Sequence, residues 1–153
     1  METRAKVDKL AVQRTLAVLN KYSTEALPLE MEHQLQSHGS WLSYTVYVDF
    51  LRFLGNPDKQ RPKMLHTMGK KFIGRARAAS VDDALHLLSD RYCALHEGNV
   101  GRFFVQQHHG NEWQITAAVR YPYPFVEGMV QTALDIDRHT TYRVSAGTIT
   151  RRF

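Results

Sequence analysis

The chain has 153 residues, 43% hydrophobic and 23% charged, as in an ordinary soluble globular domain large enough for a proper core. No apolar run approaches the length that spans a bilayer, and the opening Met1-Glu-Thr-Arg-Ala-Lys6 leads into a charged helix pattern, unlike a signal peptide. The single cysteine, Cys93, excludes an internal disulfide and suits a reducing, cytoplasmic setting. A net charge of +5 permits contact with nucleic acid or acidic partners without demanding it.

Residues 2–21 set Val7, Leu10, Ala11, Val12, Leu16, Val18 and Leu19 among charges, which predicts a helix. Its apolar positions wrap more than one stripe, so contacts on two sides are expected, within the fold or across a dimer. Leu27-Pro28-Leu29 interrupts, a short helix over 30–37 follows, and His38-Gly39-Ser40 breaks again. Ser40 is then a candidate N-cap. Residues 41–54 are apolar on nearly every side, the pattern of a buried helix, with a strand as the alternative given the β-branched and aromatic content. Gly55-Asn56-Pro57 ends it. Pro62 suits the first turn of the next helix, whose inner face is Met64, Leu65, Met68, Phe72, Ile73 and Ala76. Ser80 with Asp83 resembles a capping box and opens a helix carrying Ala84, Leu85, Leu88, Tyr92 and Leu95. In that company Cys93 is expected to be a buried thiol. Everything before Gly101 thus reads as helix.

The last third reads differently. Residues 102–108 and 112–121 form a hairpin, the second strand alternating Trp113, Ile115, Ala117, Val119 and Tyr121. A three-residue loop would place Phe103, Val105 and Gln107 opposite Ala117, Ile115 and Trp113. A two-residue loop would bring polar side chains onto the apolar face, so burial selects the first register. Pro122 and Pro124 stop the strand. From Phe125 the apolar spacing becomes helical, with Gly128 inside, either for close packing on the sheet or for backbone approach to a ligand. A final hairpin pairs Val144 with Ile149 and Tyr142 with Arg151. The expected fold is α+β: an N-terminal helical layer packed on a C-terminal antiparallel four-stranded sheet (ββαββ). It forms a single domain, with a candidate dimerising helical extension at 1–39, the helical layer at 40–101 and the ββαββ unit at 102–153.

The segment Lys59, Arg61, Lys63, Lys70, Lys71, Arg75 and Arg77 is either a phosphate-contacting patch or a solvated helix face. No aromatic residues interleave the charges as a single-strand platform requires. The eight histidines lack metal spacing: His108 and His109 point to opposite strand faces, His33 and His38 stand five apart, and no HExxH string occurs. No metal or other cofactor is expected. There is no GxSxG turn, no reactive-cysteine context and no phosphate-binding glycine loop, so nothing argues for an enzyme. The aromatic inventory exceeds what one sheet face needs. It implies either an apolar pocket between helices and sheet or a filled aromatic core. The candidate pocket residues are Trp41, Tyr44, Phe72, Tyr123, Phe125 and Met129.

The phrase His96-Glu-Gly-Asn-Val-Gly-Arg102, then a hairpin, Tyr121-Pro-Tyr-Pro-Phe125 with Gly128, a helix and a last hairpin resemble the 4-vinyl-reductase-type domains. Those belong to a ligand-binding superfamily shared with haem–nitric-oxide-binding sensors and Golgi transport-particle subunits. Many of its members carry cysteines near the C-terminus, and this chain has none after Cys93. Its haem sensors use a Tyr-x-Ser-x-Arg motif that does not occur here, so haem is not expected. The resemblance implies a homodimerising, regulatory module that binds a hydrophobic or aromatic small molecule, or a protein partner. The alternatives are a nucleic-acid-associated accessory protein using residues 59–77 and a homo-oligomeric scaffold without ligand.

Overall fold

The computed structural model describes residues 4–23, 25–56, 61–74, 80–107, 112–134, 141–145 and 148–152. The chain is α+β, but strands begin long before Gly101. β1 (Lys6–Asp8) is the central strand of a small antiparallel sheet in the order β2-β1-β3, with β2 (Trp41–Ser43) and β3 (His96–Glu97) as its edges. Val7 sits opposite both Leu42 and His96 and is fully buried. The expected all-helical first part is therefore corrected at three places. Each strand is two or three residues long, too short to show a period, and is held by pairing with distant chain.

The helices start where local chemistry starts them. The Asp8 carboxylate accepts from the Ala11 amide at 3.0 Å and caps α1 (Lys9–Tyr22). α2 (Leu29–Gln36) is short. Ser43, and not Ser40, caps α3 (Tyr44–Leu54), since residues 41–43 are taken by β2. Pro62 opens α4 (Pro62–Ile73) at its first turn. Gly74 ends that helix at φ +71°, a conformation that favours glycine. Two arginines satisfy the carbonyls left open there: Arg14 donates to Lys71 and Phe72, and Arg91 donates to Gly74. Ser80 caps α5 (Val81–Ala94) through the Asp83 amide. Cys93 on this helix is exposed, not buried. Tyr92 occupies the inward position beside it, and the next residue lies about 100° round the helix.

β4 (Arg102–Gln107) and β5 (Glu112–Ala118) pair as Phe103–Ala117, Val105–Ile115 and Gln107–Trp113, the register that burial selects. β5 stops at Ala118, three residues short of Tyr121, because the chain bends inward and buries that ring. α6 (Tyr123–Leu134) follows, with Pro124 in its first turn. β6 (Thr141–Ser145) and β7 (Thr148–Arg152) pair Val144 with Ile149 and Tyr142 with Arg151; β7 also pairs with β5, giving the order β4-β5-β7-β6. α5 packs on β4, where Ser89 donates to the Phe103 carbonyl and Tyr92 meets the Phe103 ring edge-on. Among the described residues no helix is long and apolar enough to cross a membrane.

α4 and α6 cross with their backbones in contact. A Cβ on Gly69 would overlap the Phe125 carbonyl, and one on Gly128 would overlap the His66 carbonyl. The glycine in α6 therefore serves close packing against a helix, where packing against the sheet or a ligand had been expected. Replacing either glycine by alanine gains about 1 kcal/mol of helix propensity. Overlap with a backbone carbonyl outweighs that gain, because neither helix can shift without unpacking the other. Gly69→Ala and Gly128→Ala are each expected to lower unfolding free energy by about 1–3 kcal/mol net. The double variant should lose less than the sum, since both relieve one contact. Gly39→Ala, with open space around it, should change stability by less than about 0.5 kcal/mol. Urea titrations of the parent and the four variants decide this, and unchanged midpoints for Gly69→Ala and Gly128→Ala would refute the tight crossing.

Candidate functional site

The middle of the molecule is an aromatic cluster with polar atoms inside it. Tyr44 and Tyr47 come from α3, Phe72 from α4, Tyr92 from α5, Phe125 from α6, and Tyr121 from the bend before it. All six are buried, and His96 stands among them at 6% exposure. Tyr121 stacks on Phe125 at 4.8 Å, Phe72 meets Phe125 at 5.3 Å, and Tyr92 lies 4.1 Å from the His96 ring.

Every polar atom of this cluster that bonds does so internally. His96 Nδ1 lies 2.6 Å from the Tyr92 carbonyl, which can only accept, so Nδ1 carries the proton. Nε2 then offers a lone pair to the Tyr121 hydroxyl at 2.7 Å. Tyr92 and Tyr44 both donate to the Val100 carbonyl, at 2.6 and 3.2 Å. The Tyr44 oxygen accepts from the Arg120 amide. Tyr47 and Thr15 share a hydrogen bond of 2.6 Å. Burial raises the phenol pKa values of Tyr47, Tyr92 and Tyr121 well above the ordinary value, so these hydroxyls stay protonated. Burial also pushes the His96 imidazole down to about 4, against the smaller opposing pull of the Tyr92 carbonyl and Asp8.

Of the six candidate pocket residues, Tyr44, Phe72, Phe125 and Met129 are buried in this centre. Trp41 is half-buried on β2 opposite Asp8, and Tyr123 is half-buried at the start of α6. The aromatic centre they border is packed ring against ring. A crevice of about 10 Å³, the space of one water, lies at Met129 between α4, α5 and α6, walled by Ile73, Ala84 and Leu88. A haem or another large planar group does not fit the residues present, because the rings touch and both nitrogens of the central imidazole are engaged. His96 and Tyr121 were not among the candidate pocket residues. The four-residue step from Tyr92 to His96, which lets the imidazole reach back to the Tyr92 carbonyl just past the end of α5, was the available signal.

Arg61 is turned to Ser23 at 3.0 Å and Glu25 at 3.6 Å. Lys63 and Lys71 are exposed on α4 and Lys70 is half-buried; Lys59, Arg75 and Arg77 lie outside the described residues, as do His108 and His109. Among the described residues no three histidine, cysteine or acidic side chains converge as metal ligands.

Comparison with known protein families and with curated proteins finds no match. Among solved structures the chain is similar to a point mutant of the T. tengcongensis H-NOX. The two share 9% identity and a TM-score of 0.57, over 95% of this chain and 96% of that one. At that identity the likeness is one of fold, and it runs through the helical part and the sheet alike.

The buried imidazole gives a pH dependence of stability. In the unfolded chain a histidine takes up its proton near pH 6.5, whereas in the fold it resists until about 4. The unfolded state therefore binds more protons between those values, and the stabilisation present above pH 6.5 is lost as pH falls. From pH 7.5 to 5 the loss from this group is about 2 kcal/mol. His96→Gln keeps an acceptor for Tyr121 and should lower stability at pH 7.5 while removing most of that slope. Urea midpoints at the two pH values measure it, and an equal slope in the variant would refute the assignment.

Proposed function

We propose that the chain is a non-catalytic regulatory domain that responds to a small apolar or aromatic molecule taken up between its helices. The observation that supports this reading is the end-to-end likeness in fold to an H-NOX domain. The finer assignment to the 4-vinyl-reductase type rests on His96-Glu-Gly-Asn-Val-Gly-Arg102 and Tyr121-Pro-Tyr-Pro-Phe125.

The closed centre is then the ligand-free form. Opening it at the α4–α6 crossing would mean separating two backbones in contact. Opening it beside Met129 needs only rotamer changes in Leu88, Ile73 and Met129, and methionine adapts its shape readily. Phe72, Phe125 and Met129 would line the opened space, with Tyr44, Trp41 and Tyr123 around it. Taking up an apolar ligand there gains about 25 cal/mol per Å² of surface removed from water, which offsets the lost side-chain contacts.

Native mass spectrometry of freshly purified protein should show a retained small mass, or indole at about 1 mM should raise the melting temperature by several degrees, as a ligand selective for the folded state must. Ala84→Leu fills the crevice wall and should abolish either effect while melting near the parent. Neither a retained mass nor an indole shift in the parent would end the proposal, and so would full retention in Ala84→Leu.

A further inference from the structure

A second surface feature is independent of the closed centre. Five large apolar side chains are exposed among the described residues: Leu10, Tyr22, Leu29, Phe53 and Phe104. Tyr22, Leu29 and Phe53 are 61%, 74% and 48% exposed. Tyr22 ends α1, Leu29 begins α2 six residues beyond the cap of α1, and Phe53 lies on α3, which packs beside α2. Between α2 and α3 runs a groove of about 240 Å³ lined by Pro28, Glu30, Val46, Asp49, Phe50 and Phe53. Phe50 is its buried floor and Phe53 its exposed wall.

The groove is acidic on a basic chain. Glu30 and Asp49 are both exposed at its edge, and neither forms an ion pair among the described residues. The sole basic residue of α3, Arg52, donates instead to the Arg120 carbonyl. A placement at the first turn of α2 accounts for Glu30 as a favourable helix-dipole contact, but Asp49 in mid-helix has no such reason. The groove is also shallow, open along one side and smaller than typical small-molecule pockets, so it would leave much of a free ligand in water. Its complement is an aromatic side chain with a cation beside it, presented from a protein surface. This chain carries that pair: Lys21 lies 5.7 Å from the Tyr22 ring centroid at the exposed end of α1.

We propose that the α2–α3 groove receives Tyr22 and Lys21 of a second copy of this chain, the ring against Phe50 and Phe53 and the ammonium beside Asp49 and Glu30. Each copy carries both the donor pair and the groove. A two-fold arrangement can therefore satisfy both contacts at once, as a closed dimer requires. Tyrosine is among the residues that most often dominate such contacts.

The test is sedimentation of the full chain from about 1 to 100 μM, where a contact anchored by a few side chains is expected to associate. A monomer–dimer equilibrium should appear, weakened at least about tenfold by Tyr22→Ala, Phe53→Ala or Asp49→Lys. Phe104→Ala, on the sheet, should leave it unchanged. Combining Lys21→Asp with Asp49→Lys should restore association to within about threefold of the parent, the signature of direct pairing. A monomer throughout, a dimer indifferent to these substitutions, or a failure of the charge exchange to restore it would each overturn the proposal. None of these readouts depends on a small molecule, so failure here leaves the regulatory reading where it stands.

Discussion

The architecture depends on two helix backbones lying in contact. Gly69 on α4 faces the Phe125 carbonyl of α6, and Gly128 faces the His66 carbonyl in return. With the backbones that near, the side chains one turn away have no freedom to avoid each other, and Phe72 must meet Phe125. Phe125 in turn fixes Tyr121 by stacking, and Tyr121 fixes His96 through its hydroxyl. One crossing, in which a glycine of each helix meets a backbone carbonyl of the other, thus sets the position of the last helix, the bend before it and the imidazole in the middle.

That imidazole shows how an apolar centre tolerates polar atoms. A buried hydroxyl or ring nitrogen without a partner costs about 1–3 kcal/mol, and the named groups here avoid that cost by facing one another or a backbone carbonyl. The Val100 carbonyl is the shared acceptor for two tyrosines from different helices. It lies in the short stretch between β3 and β4, so the same bonds pin the link between the two sheets to α3 and α5. An aromatic centre bonded this way has one arrangement, while plain apolar side chains could slide. At the Met129 seam, by contrast, the walls are mainly the apolar side chains of Ile73, Ala84 and Leu88.

What could be read from the sequence was whatever is local or strictly periodic. The register of the first hairpin followed from alternation, because a one-residue slip would have turned Phe103 and Ile115 to solvent, and that of the last from a two-residue turn between its strands. The Ser80 cap and the Pro62 start followed from four-residue chemistry. The three short strands did not, because Val7 is held by Leu42 and His96, far along the chain, and three residues carry no period. The six candidate pocket residues were chosen for being aromatic or adaptable, which identified members of the core but not whether it was hollow. Hollowness depends on how closely α4 and α6 approach, and that is decided by a carbonyl meeting a glycine. The bond of His96 to Tyr121 escaped for the same reason: Tyr121 becomes its neighbour only after the chain has folded back.

Charge shows the same difference between inventory and placement. The chain is +5, which taken alone suggests a surface for phosphates. Yet Arg14 and Arg91 are committed to the carbonyls that end α4, Arg52 to the Arg120 carbonyl, and Arg61 to Ser23 and Glu25. A guanidinium held this way keeps its charge but not the freedom to form a bidentate fork around a phosphate. On α4, Lys63 and Lys71 are eight residues apart and exposed, enough to attract anions diffusely but not to define a track. These four arginines act as clasps for loop and helix ends. The acidic groove between α2 and α3 stands out because neither Glu30 nor Asp49 forms an ion pair among the described residues.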